Sequence, residues 1–157
     1  MAERVNPEKV ALNYWLLATD PEEYSYDDLE RDTETVWDGV TEYSSLKNLR
    51  DVEPGEEVLI FHAGTELAIV GIARITSDTY PAPRGASADE VAVDIAPERR
   101  LPRPVALAEI EDLPEFQDFD LVTDPDLTVM PVTPEVWNRI LELSQAALAY
   151  STQEDQE

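Results

Sequence analysis

No cysteine occurs among the 157 residues, so disulfides, thiolate metal sites and cysteine nucleophiles are excluded. Histidine occurs once, at His62, which leaves no histidine cluster for a metal. Of 11 basic residues only Lys9 and Lys47 are lysines, and 35 acidic residues take the net charge to −24. No apolar run approaches the roughly 18 residues that a membrane helix needs. Met1-Ala2-Glu3-Arg4 has no apolar signal region behind it, so a soluble, cytoplasmic protein is expected. No Walker loop, GxGxxG fingerprint or nucleophile elbow is found, and no cofactor is expected.

The acidic excess is spread over the whole length. With 43% apolar residues the chain can still build a core, so the acidity is not a sign of disorder. Self-repulsion of that size weakens a compact state at low ionic strength, and a Debye length of about 3 Å at molar salt removes most of it. A salt-requiring protein of the kind found in halophilic archaea is expected. With so many carboxylates, any acidic pair fits a glycosidase template, so such a match carries no information.

The length suits one domain at 13–150, with a mixed lead-in at 1–12 that has room for a short helix and an acidic, disordered tail at 151–157. Asn13 to Ala18 reads as a buried strand, and Ser25 caps a short helix through Asp27, Asp28, Leu29 and Glu30. Val36-Trp37-Asp38-Gly39-Val40 reads as a turn between two helices, because Asp-Gly favours positive φ. Ser44 or Ser45 is expected to cap the second helix, which holds Leu46, Leu49 and Arg50. Glu57 to His62 alternates, with Val58, Ile60 and His62 on one face and Leu59 and Phe61 on the other. Ala63 to Glu66 is a hairpin turn, and Leu67 to Thr76 returns with Gly71 and Ala73 leaving room for a close neighbour. A loop holding Tyr80 and Arg84 precedes a strand over 90–96. Pro102 to Val105 is an extended edge segment before a short helix near 107–112. In the last helix Thr133 is the N-cap, Pro134 takes the first position and Val136, Trp137, Ile140, Leu141, Ser144 and Leu148 face the core. Strands with short interspersed helices give an α+β class, a small mixed barrel.

His62 at a strand end is open to two readings, a general base or a histidine bonded to backbone near a turn. A charge of −24 repels phosphate, yet stacking on aromatics depends little on salt and contributes about 1–3 kcal/mol per base. Trp15, Trp37, Tyr24, Tyr43 and Tyr80 supply aromatics, while Arg31, Lys47 and Arg50 flank the Trp37 patch. Trp15 and Trp137 read as core.

Taken in order, the motifs Tyr14-Trp15-Leu16-Leu17, Pro21 to Ser25, Val36 to Val40, Asn48-Leu49-Arg50 and Gly55 to His62 resemble EVE domains. Gly71-Ile72-Ala73, Tyr80-Pro81, Arg103-Pro104-Val105, Val129 to Thr133 and Trp137 extend the resemblance over about residues 13–143. EVE domains belong to the PUA-like group with YTH domains. The resemblance implies a curved β-barrel of about 5–6 strands with surrounding short helices, a C-terminal helix and a pocket for a flipped, modified nucleobase. In EVE domains the base is associated with modified cytosine in DNA, and Trp37 resembles a cage tryptophan of YTH domains. Carried over, Tyr24, Ser25, Trp37, Asp38, Gly39, Val40, Asn48, His62 and Pro131 line or shape the site; Lys47, Arg50 and Arg84, cations close to it in the sequence, are expected to contact phosphate. Trp37→Ala is expected to lose binding and keep the fold. The chain departs from the family at Ala18-Thr19, where Lys-Ser is usual, and at Thr41-Glu42, where Arg-Asn is usual; Glu42 then adds a charge that repels phosphate. The leading expectation is a non-catalytic reader of a modified base in DNA. The rivals are a hydrolase of modified nucleosides using His62, as in PUA-like amidohydrolases, and a plain interaction module.

Overall fold

The computed structural model describes residues 13–85 and 87–155, with side chains through residue 145. The lead-in expected over 1–12 lies outside the described residues. Among the described residues seven strands form one sheet, five helices surround it, and a 3-10 turn covers Pro114–Phe116. In chain order they are β1 (Tyr14–Thr19), α1 (Tyr26–Asp32), β2 (Thr35–Trp37), α2 (Tyr43–Arg50), β3 (Glu57–His62), β4 (Ala68–Ile75) and β5 (Tyr80–Pro81). There follow β6 (Val91–Ala106), α3 (Leu107–Glu111), α4 (Asp120–Thr123), β7 (Val129–Val132) and α5 (Pro134–Asp155). The strand order is β2-β6-β4-β3-β1-β7, and β5 hangs on β6. This is the curled half-barrel of PUA-like type that the resemblance implies.

The central strands β1 and β3 run parallel, Trp15 opposite Val58 and Leu17 opposite Ile60. Parallel neighbours need a long crossover, and α1, β2 and α2 are that crossover. Both strands are buried on both faces because alternate residues serve two cores. Trp15, Leu17, Val58 and Ile60 join Trp37, Leu29 and Leu49 on one side. Leu16, Leu59 and Phe61 join Phe116, Trp137 and Ile140 on the other. Register shifts at Ile60/Phe61, Ile69/Gly71 and Ile72/Ala73 bend the sheet, as extra residues in one strand of a ladder do.

Tyr26 explains the small residues of β4. Its ring lies so close to Gly71 that a Cβ there would sit 2.6 Å from Cε2. Its hydroxyl donates to the Ile72 carbonyl at 2.7 Å, and the Arg100 guanidinium lies 5.0 Å from the ring centre. Glu56 is a buried carboxylate satisfied by N–H donors. The Trp15 indole donates at 2.7 Å, the Glu53 amide at 2.9 Å and the Asn13 amide at 3.1 Å.

Four features differ from the sequence reading. Trp37 closes a three-residue strand against β6, opposite Val93, rather than lying in a turn between helices. The strand over 90–96 and the segment at 102–105 are one 16-residue strand, β6. Its prolines sit where the ladder is already shifted: Pro97 beside the Ile72/Ala73 shift, Pro102 and Pro104 where four residues oppose Val70. The cap of α2 is Glu42, not Ser44 or Ser45, and its carboxylate accepts from the Ser45 amide at 2.8 Å. Finally, α5 continues through Asp155 instead of fraying at 151, since no Gly or Pro follows Pro134 to stop it.

Candidate functional site

The end of β1, the entry to α1 and the β2 turn meet at one open cavity of about 590 Å³, lined by Thr19, Glu23, Tyr24, Thr35, Val36, Trp37, Asp38, Gly39 and Arg84. That size lies in the range of small-ligand sites.

Each wall has a local cause. Ser25 starts α1 with a capping box: its hydroxyl accepts from the Asp28 amide at 3.1 Å, and the Asp28 carboxylate accepts from the Ser25 amide at 2.9 Å. That box fixes Tyr24, the residue before the cap. The Thr19 hydroxyl donates to the Tyr24 carbonyl at 2.9 Å, tying Tyr24 to the end of β1. The Tyr24 hydroxyl donates to Asp32 at 2.8 Å. Its ring meets Trp37 almost at a right angle, 83°, with centroids 6.3 Å apart. The two rings therefore form an aromatic corner. Trp37 is only 8% exposed and belongs to the core, so only a small part of it faces the cavity.

The β2 turn follows through Asp38 and Gly39, where φ of 80° is the left-handed conformation that glycine adopts freely. Arg84 reaches over from its loop and grips Asp38 side-on, Nε to Oδ2 at 3.0 Å and Nη2 to Oδ1 at 2.9 Å. Asp38 is sheltered at 13% exposure and Arg84 is open at 77%, so the pair is anchored at its acid end. Side-on pairing leaves Nη1 and one lone pair of each carboxylate oxygen for a ligand. Nearby Tyr80 is not in the cavity; its hydroxyl donates to Asp94 at 2.5 Å, which with burial pushes the phenol up to about 12.

Of the residues read from the sequence, Tyr24, Trp37, Asp38, Gly39 and Arg84 line this cavity together. The others do different work. Ser25 is the helix cap. Val40 is buried core beneath the turn. The Asn48 amide donates to the Val129 carbonyl at 2.7 Å and ties α2 to β7. Pro131, on β7, pairs with Trp15 of β1 and lines a separate groove of about 380 Å³ with Phe119 and Val136. His62 is buried with both ring nitrogens engaged. Nε2 accepts the Tyr26 amide at 3.0 Å, so Nδ1 carries the proton and meets the Glu66 carboxylate at 2.8 Å. It has no lone pair left for general-base work, and it serves to fix the start of α1 on the end of β3.

Arg84 pairs with Asp38 through Nε and Nη2. Lys47 is exposed on α2, and Arg50 donates to the Asp89 carbonyl at 2.5 Å. Glu42 faces its own helix as the α2 cap, and the Ser45 amide holds it below the usual carboxylate range. Thr19, Glu23, Thr35 and Val36 also line the cavity, and the sequence reading omits them from the site. Thr19 enters that reading only as a departure from the usual Lys-Ser.

The family model described as "EVE domain" matches residues 13–143. The protein Rpa0253 of Rhodopseudomonas palustris is 31% identical, with a TM-score of 0.80 over 86% of this chain and 94% of that one. Human THYN1, solved in complex with 5-methylcytosine-containing DNA, is 25% identical, with a TM-score of 0.76 over 84% of this chain and 97% of its own. The Mmi1 YTH domain, at 16% identity and a TM-score of 0.57 over 88% of this chain and 98% of its own, shares the fold. The motif order, the curled sheet and these likenesses agree: the chain belongs to the EVE domain family.

Proposed function

We propose that this chain is a non-catalytic reader that holds a flipped, modified nucleobase, modified cytosine in DNA, in the cavity at Tyr24, Trp37 and Asp38. The observation that carries the reading is the aromatic corner beside a sheltered, half-satisfied carboxylate. The base stacks on the exposed surface of Trp37 with Tyr24 at its edge, and the free lone pair of Asp38 accepts an exocyclic amino group. Val36 lines the same cavity and is 39% exposed, which gives a methyl group an apolar neighbour. Burying that methyl contributes about 1 kcal/mol, so strong discrimination needs the polar edge as well. The THYN1 complex supports DNA as the partner, since that relative was solved with DNA containing 5-methylcytosine.

Lys47 and Arg50 are the proposed phosphate contacts. Arg84, read from the sequence as a phosphate contact, is proposed instead to position Asp38. The hydrolase reading loses its base in His62, which lies outside the cavity and has both nitrogens committed. We also place the protein in a cytoplasm of molar salt, where the charge of −24 is screened. The test is titration with oligonucleotides carrying cytosine or 5-methylcytosine, in about 2 M KCl. Binding that favours the methylated strand supports the reading; a folded protein that binds neither overturns it.

A further inference from the structure

A second open cavity, of about 620 Å³, lies beyond the same turn. Thr41, Tyr43, Leu46 and Arg50 line one side, and Ser87, Asp89 and Glu90 line the other. Its lining residues are chain neighbours of the first cavity's: Gly39 and Thr41 stand either side of buried Val40, and Ser87 follows Arg84 by three positions. The two cavities are thus lined by neighbouring stretches of the same two segments.

Tyr43 is 76% exposed, the most exposed large hydrophobic side chain among the described residues, where the other two rings of the region are packed. Its position is not explained by folding, because the α2 core face is Leu46 and Leu49. Tyr43, Lys47 and Arg50 follow at four and three residues, so they share one face of α2. Six of the described arginines close ion pairs with carboxylates. Lys47, Arg50 and Arg99 close none among the described residues, and the first two stand on this face. In a chain of −24, cations that are not matched to acids are scarce, and two of them follow the exposed ring along its helix face.

We infer that the Tyr43 face of α2 is a subsite for the nucleotide next to the flipped base, with the Tyr43 ring stacking on that base and Lys47 and Arg50 facing its phosphates. The inference rests on the base-reader proposal and sharpens it: the ligand is a single-stranded stretch of polymer, not a free nucleoside. Asp89 and Glu90 oppose phosphate in the same cavity, so stacking carries more of the affinity than charge does. Glu42 does not add to that opposition in the same way, since its carboxylate is turned to the α2 amides.

The experiment compares 5-methyldeoxycytidine with a short single strand carrying 5-methylcytosine, each titrated into the full chain and into Tyr43→Ala in about 2 M KCl. Tyr43 is exposed, and a melting curve checks that the variant is folded. The strand is expected to bind wild type more tightly than the nucleoside does. Tyr43→Ala should weaken strand binding about 5- to 150-fold and leave nucleoside binding unchanged. An abasic neighbour in the strand should reproduce the loss in wild type and add nothing in Tyr43→Ala, the mark of a coupled pair. Lys47→Gln with Arg50→Gln should flatten the slope of log affinity against log salt by about 0.7 for each phosphate no longer neutralised. Equal affinity of nucleoside and strand, or a Tyr43→Ala variant that binds the strand as wild type does, overturns the subsite and leaves the base reader standing. Absence of binding to both probes overturns both.

Discussion

Removing Tyr24 separates the role of the aromatic corner in binding from its role in folding, which removing Trp37 does not. Trp37 is 8% exposed and packs in the core with Val40, Leu46 and Val93. Truncating a buried tryptophan costs about 3–5 kcal/mol, against a total of about 5–15 kcal/mol for a domain. A Trp37→Ala variant that fails to bind would therefore report partial unfolding as much as a lost wall, contrary to the expectation from sequence that its fold survives. Tyr24 is half-buried, and its losses are smaller. They are an edge-to-face contact of about 0.5–1.5 kcal/mol and a hydrogen bond to Asp32 at the surface, about 0.5–1 kcal/mol. Tyr24→Ala should thus melt a few degrees below wild type and stay folded. Its affinity for a 5-methylcytosine strand should fall by about 1–3 kcal/mol, roughly 5- to 150-fold, if the ring is one wall of the base site. The assay is fluorescence anisotropy of a labelled strand beside a melting curve of the same sample. Unchanged affinity in a folded Tyr24→Ala variant would refute the placement of the base at this corner.

Other predictions test the scaffold. Melting temperature should rise steeply between about 0.1 M and about 3 M KCl, and a flat profile would remove the high-salt reading of the acidic surface. Gly71→Ala places a Cβ 2.6 Å from the Tyr26 ring, whose hydroxyl is pinned to Ile72. Overpacking of that kind costs about 1–3 kcal/mol, so calorimetry should show a loss of about 2–12 °C, and no shift would mean the ring yields freely. The Glu57 carboxyl is pushed up to about 6 from its ordinary 4.5, first by its hydrogen bond to Glu98 and then by burial. A raised value means the folded state holds that proton more tightly. Its contribution is complete below pH 4.5 and lost as pH rises through about 6. Wild type should lose stability over that window relative to Glu57→Gln, and parallel curves would contradict the shared proton.

Long alternating stretches were legible in the chain and short ones were not. β1, β3 and α5 carry enough residues for their periodicity to show, and Ser25 with Asp28 announces a capped helix. β2 has three residues, too few for alternation, and the Asp-Gly turn beside it dominates the local signal. The prolines of β6 divide it in the sequence, because only the paired register reveals that they fall at bulges. The helix cap at Glu42 escapes a sequence reading because a carboxylate three residues before an amide can cap as well as Ser44 or Ser45 would.

The lining of the candidate site was legible where the motif residues meet at one cavity, at Tyr24, Trp37, Asp38 and Gly39. Motif membership does not separate a pocket wall from its support, and that is why Ser25, Asn48 and His62 group with the lining in the sequence. Each is a polar side chain spent on backbone: a cap, a tie to β7 and a clamp on Tyr26. Arg84 reads in the sequence as a phosphate contact, but its partner Asp38 lies 46 residues away in the chain, and only folding brings the pair together. Val36 and Thr35 escape notice with the strand that holds them.

The base-reader proposal meets its sharpest trial in a paired titration of the folded chain, in about 2 M KCl, with two single strands that differ only in one cytosine methyl group. Saturable binding is expected, tighter for the methylated strand by about fivefold, the worth of one buried methyl. Equal binding of the two strands, or binding of neither, would contradict it.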